Sequence, residues 1–303
     1  MGLENRRHFA KGSLLLSLAL TLAASGHIQL WAEPTNAHKH KTTPGHGELP
    51  FRTYRDYLVV VQGSLGGKQR RNLIIDTGTD PSVIDRRVAQ ALHMAGAVGK
   101  LAVHDQVVDA EQAVLPSVQI GSLRVEFLPV LIRDLSSLAK DLGIRIDGII
   151  GMDVLGLTSF GIDYTTRKLV FGAAPAYGSS APLQSTPPPW LTVTVEVDGV
   201  PIRLLLDTSA SGIILFQSRI NNRLALLILG ERRSSNLGGE LRLQRAMLGT
   251  TKFGDTDFGQ QSAFIVEDQE DESLEFDGLL GPSALGLKKI AFDFQRHAVS
   301  WEK

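Results

Sequence analysis

The chain has 303 residues, enough for one large domain or two smaller ones with hydrophobic cores. It carries 31 basic and 32 acidic residues, so its charge balance does not favour binding to nucleic acid or to an anionic membrane surface. It contains no cysteine, which excludes disulfides, thiolate nucleophiles and cysteine-ligated metals.

The first 32 residues have the pattern of an export signal. A basic stretch, Asn5–Lys11, precedes an apolar stretch, Leu14–Ala24, that is too short to cross a membrane as a helix. The basic stretch is similar to a twin-arginine export motif, although Asn5 and Ala10 depart from it. The twin-arginine route, ordinary secretion and a retained membrane anchor all stay open. We expect an exported protein, periplasmic or secreted, with no stable membrane span after the signal is removed.

The rest of the chain contains two copies of one unit. Each copy has two strand-like runs that lead into an aspartate: Tyr57–Val61 and Asn72–Ile75 before Asp76, and Leu191–Val197 and Ile202–Leu206 before Asp207. The first aspartate opens the motif Asp76-Thr77-Gly78-Thr79, and the second opens Asp207-Thr208-Ser209-Ala210. An acidic side chain directly after a buried strand is costly unless its site uses it.

Each copy continues with a second motif and a closing pair of strands. Asp147 lies 71 positions after Asp76, and Asp277 lies 70 positions after Asp207. Two apolar residues and a glycine follow each of these later aspartates: Ile149, Ile150 and Gly151 in the first copy, and Leu279, Leu280 and Gly281 in the second. The predicted closing strands are Ser159–Tyr164 with Lys168–Phe171, and Lys289–Phe294 with Ala298–Trp301. The matching order and spacing indicate an internal duplication.

This pattern predicts a mostly β protein with two similar lobes. The predicted segments are an export signal at 1–32, a flexible linker at 33–50, a first lobe at 51–171, an interlobe linker at 172–189 and a second lobe at 190–303. Helical patterns are sparse, and they predict short helices at Asp85–Leu92, Leu135–Leu142 and Gln217–Leu227.

The motifs resemble those of the aspartic proteases. The duplication is similar to that of a pepsin-type bilobal enzyme, and the short lobes without cysteine resemble two retroviral-protease units fused in one chain, as in bacterial retropepsin-like proteins. The resemblance covers about residues 51–303. It implies two retropepsin-like β-barrel lobes with a central cleft, aspartic endopeptidase activity on a peptide or protein, and Asp76 and Asp207 as the catalytic pair. It also implies a monomer whose lobes form an intramolecular pseudo-dimer.

The chemistry of paired carboxylates explains the expected activity. Two carboxylates held close together cannot both ionise at low cost, so they share a proton and their pKa values separate. The ionised one takes a proton from a water held between the pair, and the protonated one donates a hydrogen bond to the scissile carbonyl. The water attacks, and the intermediate collapses as the amine is protonated. This needs no metal and no cofactor, and the sequence does not assign the proton to either aspartate.

The resemblance also implies roles for the neighbouring residues. Thr77 and Thr208 would hydrogen-bond across the lobe interface, Gly78 would allow a tight turn, and Thr79 could donate its hydroxyl to Asp76. The apolar-glycine segments would pass behind the aspartate loops. Flaps over the cleft are expected between Gly96 and Val114, with Gly96 and Gly99 as hinges, and around Leu237-Gly238-Gly239-Glu240.

Ser209 departs from the family pattern, which has glycine at this position. Its Cβ would be strained if the turn required a left-handed backbone. This leaves two alternatives to a single-chain enzyme. One is a non-catalytic peptide-binding or scaffold protein that kept the protease fold. The other is a pair of chains in which two copies of Asp76 form the active site.

Overall fold

The fold is known from a computed structural model that describes residues 42–43, 45–103, 106–186, 190–236, 239–267 and 275–303. The first strands in chain order are β1 Thr42–Thr43, β2 Gly47–Tyr54, β3 Leu58–Leu65, β4 Lys68–Ile75, β5 Val83–Asp85, β6 Ala97–Val103, β7 Gln106–Ile120, β8 Leu123–Arg133, β9 Gly148–Ile150, β10 Phe160–Asp163 and β11 Lys168–Phe171. The following strands are β12 Ser179–Pro182, β13 Gln184–Thr186, β14 Trp190–Val197, β15 Val200–Leu206, β16 Ile213–Phe216, β17 Leu227–Asn236, β18 Gly239–Phe253, β19 Thr256–Val266, β20 Gly278–Leu280, β21 Lys289–Asp293 and β22 Ala298–Glu302.

The helices are short. They are α1 Arg86–Ala91, α2 Ser136–Leu142, α3 Met152–Leu155 and α4 Gln217–Ile220, and a 3-10 turn covers Pro282–Leu285. Asp85 caps α1, because its carboxylate accepts a hydrogen bond from the Arg87 backbone N–H at 2.9 Å. The chain is therefore mostly β, as the sequence predicts.

The strands form two closed six-stranded barrels, as expected for two retropepsin-like lobes. In the first barrel the strand order is β3-β4-β9-β5-β8-β7, and β7 pairs back with β3. In the second the order is β14-β15-β20-β16-β19-β18, and β18 pairs back with β14. Closure leaves no unpaired edge within each barrel. The two copies of the sequence unit thus fold the same way.

The end of the strand before each aspartate is buried on both faces. In β4, Leu73 and Ile75 pack into one apolar cluster, whereas Ile74 packs into a second cluster with Leu138 of α2. Alternating side chains point to opposite faces of a strand, so the part of β4 that is covered on both faces, residues 73–75, is continuously apolar. The apolar runs that end at Asp76 and Asp207 are therefore the central strands of their lobes.

A six-stranded sheet joins the two lobes. Its order is β12-β22-β21-β10-β11-β2, and β10 of the first lobe pairs with the equivalent β21 of the second. Phe160 lies opposite Phe292 in this pairing, and their rings stack with 4.6 Å between centroids. The equivalent strands meet at the centre of this sheet, as in a pseudo-dimer.

Three sequence predictions differ from the fold. The helix predicted at Gln217–Leu227 ends at Ile220, because the backbone of Asn221 is extended, with ψ 132°; Leu227 already belongs to strand β17. Residues 47–50 were predicted as linker but form the start of β2, which pairs with β11. Residues 179–186 were also predicted as linker and form β12 and β13. These segments contain polar and small residues, which favoured a linker in the sequence. They form strands because sheet edges elsewhere in the fold supply their hydrogen-bond partners. The predicted export signal at 1–32 lies outside the described residues.

Candidate active site

Each aspartate follows a central barrel strand and is tied to the apolar-glycine segment beside it. The Asp76 backbone N–H donates to the Ile150 carbonyl at 3.0 Å, and the Asp207 backbone N–H donates to the Leu280 carbonyl at 3.0 Å. These bonds continue the parallel pairing of β4 with β9 and of β15 with β20. Both aspartates are fully buried.

Two threonines join the aspartate loops across the lobe boundary. The Thr77 backbone N–H donates to Thr208 Oγ1 and the Thr208 backbone N–H donates to Thr77 Oγ1, each at 3.1 Å. The Thr77 hydroxyl donates to the Leu206 carbonyl at 2.7 Å, and the Thr208 hydroxyl donates to the Ile75 carbonyl at 2.9 Å. Each hydroxyl therefore accepts one bond and donates another, which satisfies buried backbone groups in both lobes.

The first carboxylate is held through both of its oxygens. The Gly78 backbone N–H donates to Asp76 Oδ1 at 2.8 Å, and the Thr79 hydroxyl donates to Asp76 Oδ2 at 2.7 Å. Burial raises the pKa of Asp76 well above its ordinary value, and the charge of Asp207 raises it further. Hydrogen bonds from Thr79, Gly78 and Ser209 oppose this rise. The charge of the second aspartate therefore affects the pKa of the first.

The second carboxylate is held by Ser209 through one oxygen. The Ser209 backbone N–H and hydroxyl both donate to Asp207 Oδ1, at 2.7 and 2.8 Å. Ala210 has no hydroxyl, and the hydroxyl that donates to Asp207 comes from the preceding residue, Ser209. Ser209 does not have a positive φ, and the strain that the sequence suggested at this position does not arise.

The glycines of the two backing segments make room for the aspartate loops. A Cβ on Gly151 would collide with the Thr79 carbonyl oxygen, and a Cβ on Gly281 would collide with the Ala210 carbonyl oxygen. The residues before these glycines, Ile149, Ile150, Leu279 and Leu280, are fully buried. Only glycine lets the two backbones approach this closely.

A buried tyrosine that the sequence did not single out lies near Asp207. Tyr57 precedes β3, and its hydroxyl hydrogen-bonds to Ser211 of the second loop. Burial raises the pKa of the Tyr57 phenol, and the negative charge of Asp207 raises it further. Because a tyrosine at the start of a strand is common, the sequence carries no signal for this contact.

The later aspartate of each copy is a structural tie. Asp147 accepts from the Asn72 backbone N–H at 3.0 Å and pairs with Arg145 at 2.8 Å. Asp277 accepts from the Arg203 backbone N–H at 2.9 Å and pairs with Arg223 at 2.7 Å. The sequence revealed these acids as a repeat but not their arginine partners, which lie at different positions in the two copies.

A cavity of about 340 Å³ adjoins the first aspartate loop. Its wall is mostly apolar and includes Val125, Pro129 and Leu157, together with the carboxyls of Asp80 and Asp153. Burial and the neighbouring Asp153 raise the pKa of Asp80 to about 7. Asp153 is itself held by Ser82, whose backbone N–H and hydroxyl donate to it at 2.8 and 2.6 Å.

The two segments predicted as flaps form hairpins. The first is β6–β7, and the second is β17–β18. Exposed apolar side chains lie on both, with Val98 on β6 and Leu227, Ile228 and Leu229 on β17. Residues 104–105 and 237–238, which follow β6 and β17 in the sequence, lie outside the described residues.

Within the described residues, three or more His, Cys, Asp or Glu side chains do not gather anywhere into a group able to hold a metal ion. In the same part of the chain, every helix is too short or too polar to cross a membrane.

Comparison with known proteins gives one family match. The family model described as "Aspartyl protease" matches residues 61–154 and 193–284, one stretch in each lobe. A solved structure of a retropepsin-like aspartic protease from Rickettsia conorii is similar, with 18% identity and a TM-score of 0.31. The similarity covers 44% of this chain and 95% of that one. No curated protein matches the chain.

Proposed function

Because this chain belongs to the aspartyl protease family, we propose that it is an aspartic endopeptidase with Asp76 and Asp207 as its catalytic dyad. The observation that carries the proposal is the threonine tie between the loops. Thr77 and Thr208 exchange hydrogen bonds at 3.1 Å, and this tie supports a dyad made of the two buried aspartates that precede them. The negative charge of Asp207 also raises the pKa of Asp76, as it would for neighbouring carboxyls.

In the proposed mechanism the two carboxyls have different protonation states. The two carboxyls share one proton, because both are buried and the charge of Asp207 raises the pKa of Asp76. Each carboxyl accepts two hydrogen bonds from its own loop, so the shared proton belongs to the pair. The ionised carboxyl then takes a proton from the attacking water while the protonated one donates a hydrogen bond to the scissile carbonyl.

The proposed substrate is an extended peptide or an exposed segment of a protein. The hairpins β6–β7 and β17–β18 would act as flaps that close over it and exclude water. The exposed apolar residues of these hairpins, Val98 and Leu227–Leu229, favour contact with apolar peptide side chains. No metal or cofactor takes part in the proposed reaction. The export signal read from residues 1–32 leads us to propose that the enzyme acts in the periplasm or outside the cell.

The direct test is cleavage of a mixed peptide library by the wild-type protein and by an Asp76→Asn variant. We expect wild-type cleavage at internal peptide bonds, and a loss of at least about a hundredfold in the variant, the usual contribution of a general acid or base. Asp255→Asn is the matched control, because Asp255 is exposed in the turn after β18. Equal rates for wild type and Asp76→Asn would exclude an Asp76-dependent protease.

One observation favours a second candidate function, a non-catalytic peptide-binding protein. Ser209 replaces the glycine of the family motif and places a side chain against the Asp207 carboxylate. A binding protein would hold peptides from the library without cleaving any of them across the acid-to-neutral range. Turnover by the wild-type protein would eliminate this candidate.

A further inference from the structure

The cavity beside the first aspartate loop combines an apolar wall with two carboxyls. Its volume of about 340 Å³ falls within the usual range of small-ligand sites, roughly 300–1,000 Å³. Leu157, which is 43% exposed, and the exposed Pro129 lie on its wall, so a ligand can enter from solvent. The lining is apolar apart from Gln112 and the partly exposed Asp80 and Asp153. The cavity can therefore hold a ligand that has both an apolar and a polar part.

The two carboxyls have no basic partner. Lysine, arginine and histidine are absent from the described residues that line the cavity. Asp153 is held by Ser82, whose backbone N–H donates to it at 2.8 Å and whose hydroxyl donates to it at 2.6 Å. The same hydroxyl accepts from the Gly151 backbone N–H at 2.9 Å, so its own hydrogen is left for Asp153. These donors are neutral, and they hold the carboxylate in place without cancelling its charge.

The second lobe forms the same loops without these acids. Asp80 and Ser211 each lie four positions after the dyad aspartate of their lobe, and Asp153 and Ser283 each lie two positions after the backing glycine. Both barrels close in the same way, so the fold does not require carboxyls at these positions. A carboxyl placed against an apolar wall costs free energy unless its site uses it. The two acids therefore indicate a binding site that only the first lobe has.

We propose that this cavity binds an alkylammonium group, a primary amine carried on an unbranched apolar chain. The cationic head contacts Asp80 and Asp153, and the chain packs on the apolar wall that includes Val125, Leu128 and Leu157. Charge-assisted hydrogen bonds and the burial of methylene groups then act together. The side chain of a peptide lysine and a free alkylamine both present this chemistry. The site does not use the dyad, so the inference goes beyond the proposed function.

The test is a titration of the wild-type protein with hexylamine and with hexanol at pH 8. Binding is followed by the NMR shifts of the leucine and valine methyl groups that line the cavity. At this pH the amine is charged, and Asp80, whose pKa is about 7, is mainly ionised. We expect hexylamine to bind at least about tenfold more tightly than hexanol, because only the amine forms hydrogen bonds between charged groups. Each methylene removed from the amine should weaken binding about fourfold.

Asp80→Asn and Asp153→Asn test the two carboxyls. Each substitution should weaken hexylamine binding roughly tenfold and leave hexanol binding unchanged, and the double variant should bind the two probes alike. Asp255→Asn is the matched control, because Asp255 is exposed in the turn after β18 and does not line the cavity. Thermal unfolding shows whether each variant is folded. The comparison of amine with alcohol on the wild type does not depend on any variant.

A second pair of probes identifies the source of the amine. Acetyl-lysine methylamide carries the lysine side chain on a peptide backbone, and its norleucine analogue lacks the charge. Competition of the lysine probe alone with hexylamine supports a site for peptide lysines, and binding of hexylamine alone supports a site for free amines. The proposal is overturned if hexylamine does not bind, if hexanol binds equally well, or if the folded double variant binds hexylamine as the wild type does. The protease proposal is tested separately through Asp76, so it stands if amine binding fails.

Discussion

At the scale of single residues, the two aspartates are positioned by hydroxyl groups. Thr77 and Thr208 tie the loops together, Thr79 binds the first carboxylate and Ser209 binds the second. The sequence identified all four residues, because they stand next to the repeated aspartates. It did not identify Tyr57, because that residue approaches Asp207 only through the folding of a distant strand.

Replacement of Thr208 by valine should destabilise the protein and disturb the dyad. The variant keeps the side-chain volume but leaves the buried Thr77 N–H and Ile75 carbonyl without their partner. We expect a loss of about 1–3 kcal/mol in the free energy of unfolding, the usual cost of buried unsatisfied groups. Urea denaturation measures it. Thr194→Val is the matched control, because Thr194 is exposed on β14; an equal loss in both variants would contradict the structural role of the threonine tie.

The buried Asp80 carboxyl should make stability fall as the pH rises. Its pKa is about 7 in the folded protein against an ordinary value of 3.8. Between these values the folded state keeps a proton that the unfolded state has lost, so each step up in pH favours unfolding. The stabilising contribution of the proton on Asp80 is therefore fully present at low pH and is lost as the pH rises to about 7. It amounts to about 1.4 kcal/mol per unit of pKa shift.

The measurement is the free energy of unfolding of the wild type and of Asp80→Asn from pH 4 to pH 8. The difference between the two proteins isolates Asp80 from Asp76 and Asp153, whose pKa values are also raised. We expect the free energy of unfolding of Asp80→Asn to increase relative to that of the wild type as the pH rises to about 7. A difference that stays constant over this range would show that Asp80 titrates normally.

At the scale of elements, the strands were more predictable than the helices and linkers. Strands β4 and β15 each end in three buried apolar residues, and that pattern is visible in the sequence. The segment after Phe216 has a helical pattern, but α4 stops at Ile220 because the chain must turn into the β17–β18 hairpin. Strands β12 and β13 are polar, and they form only because β22 and β14 offer edges to pair with. The sequence alone does not show those edges.

The glycine directly after the backing strand β20 should not tolerate a side chain. In Gly281→Ala the new methyl group would collide with the Ala210 carbonyl oxygen in the second aspartate loop. We expect a loss of about 1–3 kcal/mol in stability, as for other overpacked cores, together with reduced cleavage. Thermal unfolding and a peptide assay measure the two effects.

Gly178→Ala is the matched control for this substitution. A Cβ on Gly178 meets nothing within 4 Å, and its φ is not positive. This variant should be as stable as the wild type or slightly more so, by about 0.4–1 kcal/mol. If Gly281→Ala behaves in the same way, the second loop does not pack on β20 as described.

At the scale of the whole molecule, one chain contains two barrels joined through equivalent strands. β10 and β21 pair at the centre of the interlobe sheet, and Phe160 stacks on Phe292 there. The duplication and its two-lobed fold could be predicted, because the spacing of the motifs repeats along the chain. The order of the interlobe sheet could not be, since it depends on contacts between segments more than a hundred residues apart.

The most direct test of a single-chain dyad is the kcat/KM of Asp207→Asn for a peptide that the wild type cleaves. We predict a fall of at least about a hundredfold, because Asp207 supplies one of the two carboxyls of the proposed dyad. Sedimentation of the wild type under assay conditions should show an active monomer. Full activity of Asp207→Asn would contradict the account, because catalysis would then not need the second carboxylate of the same chain.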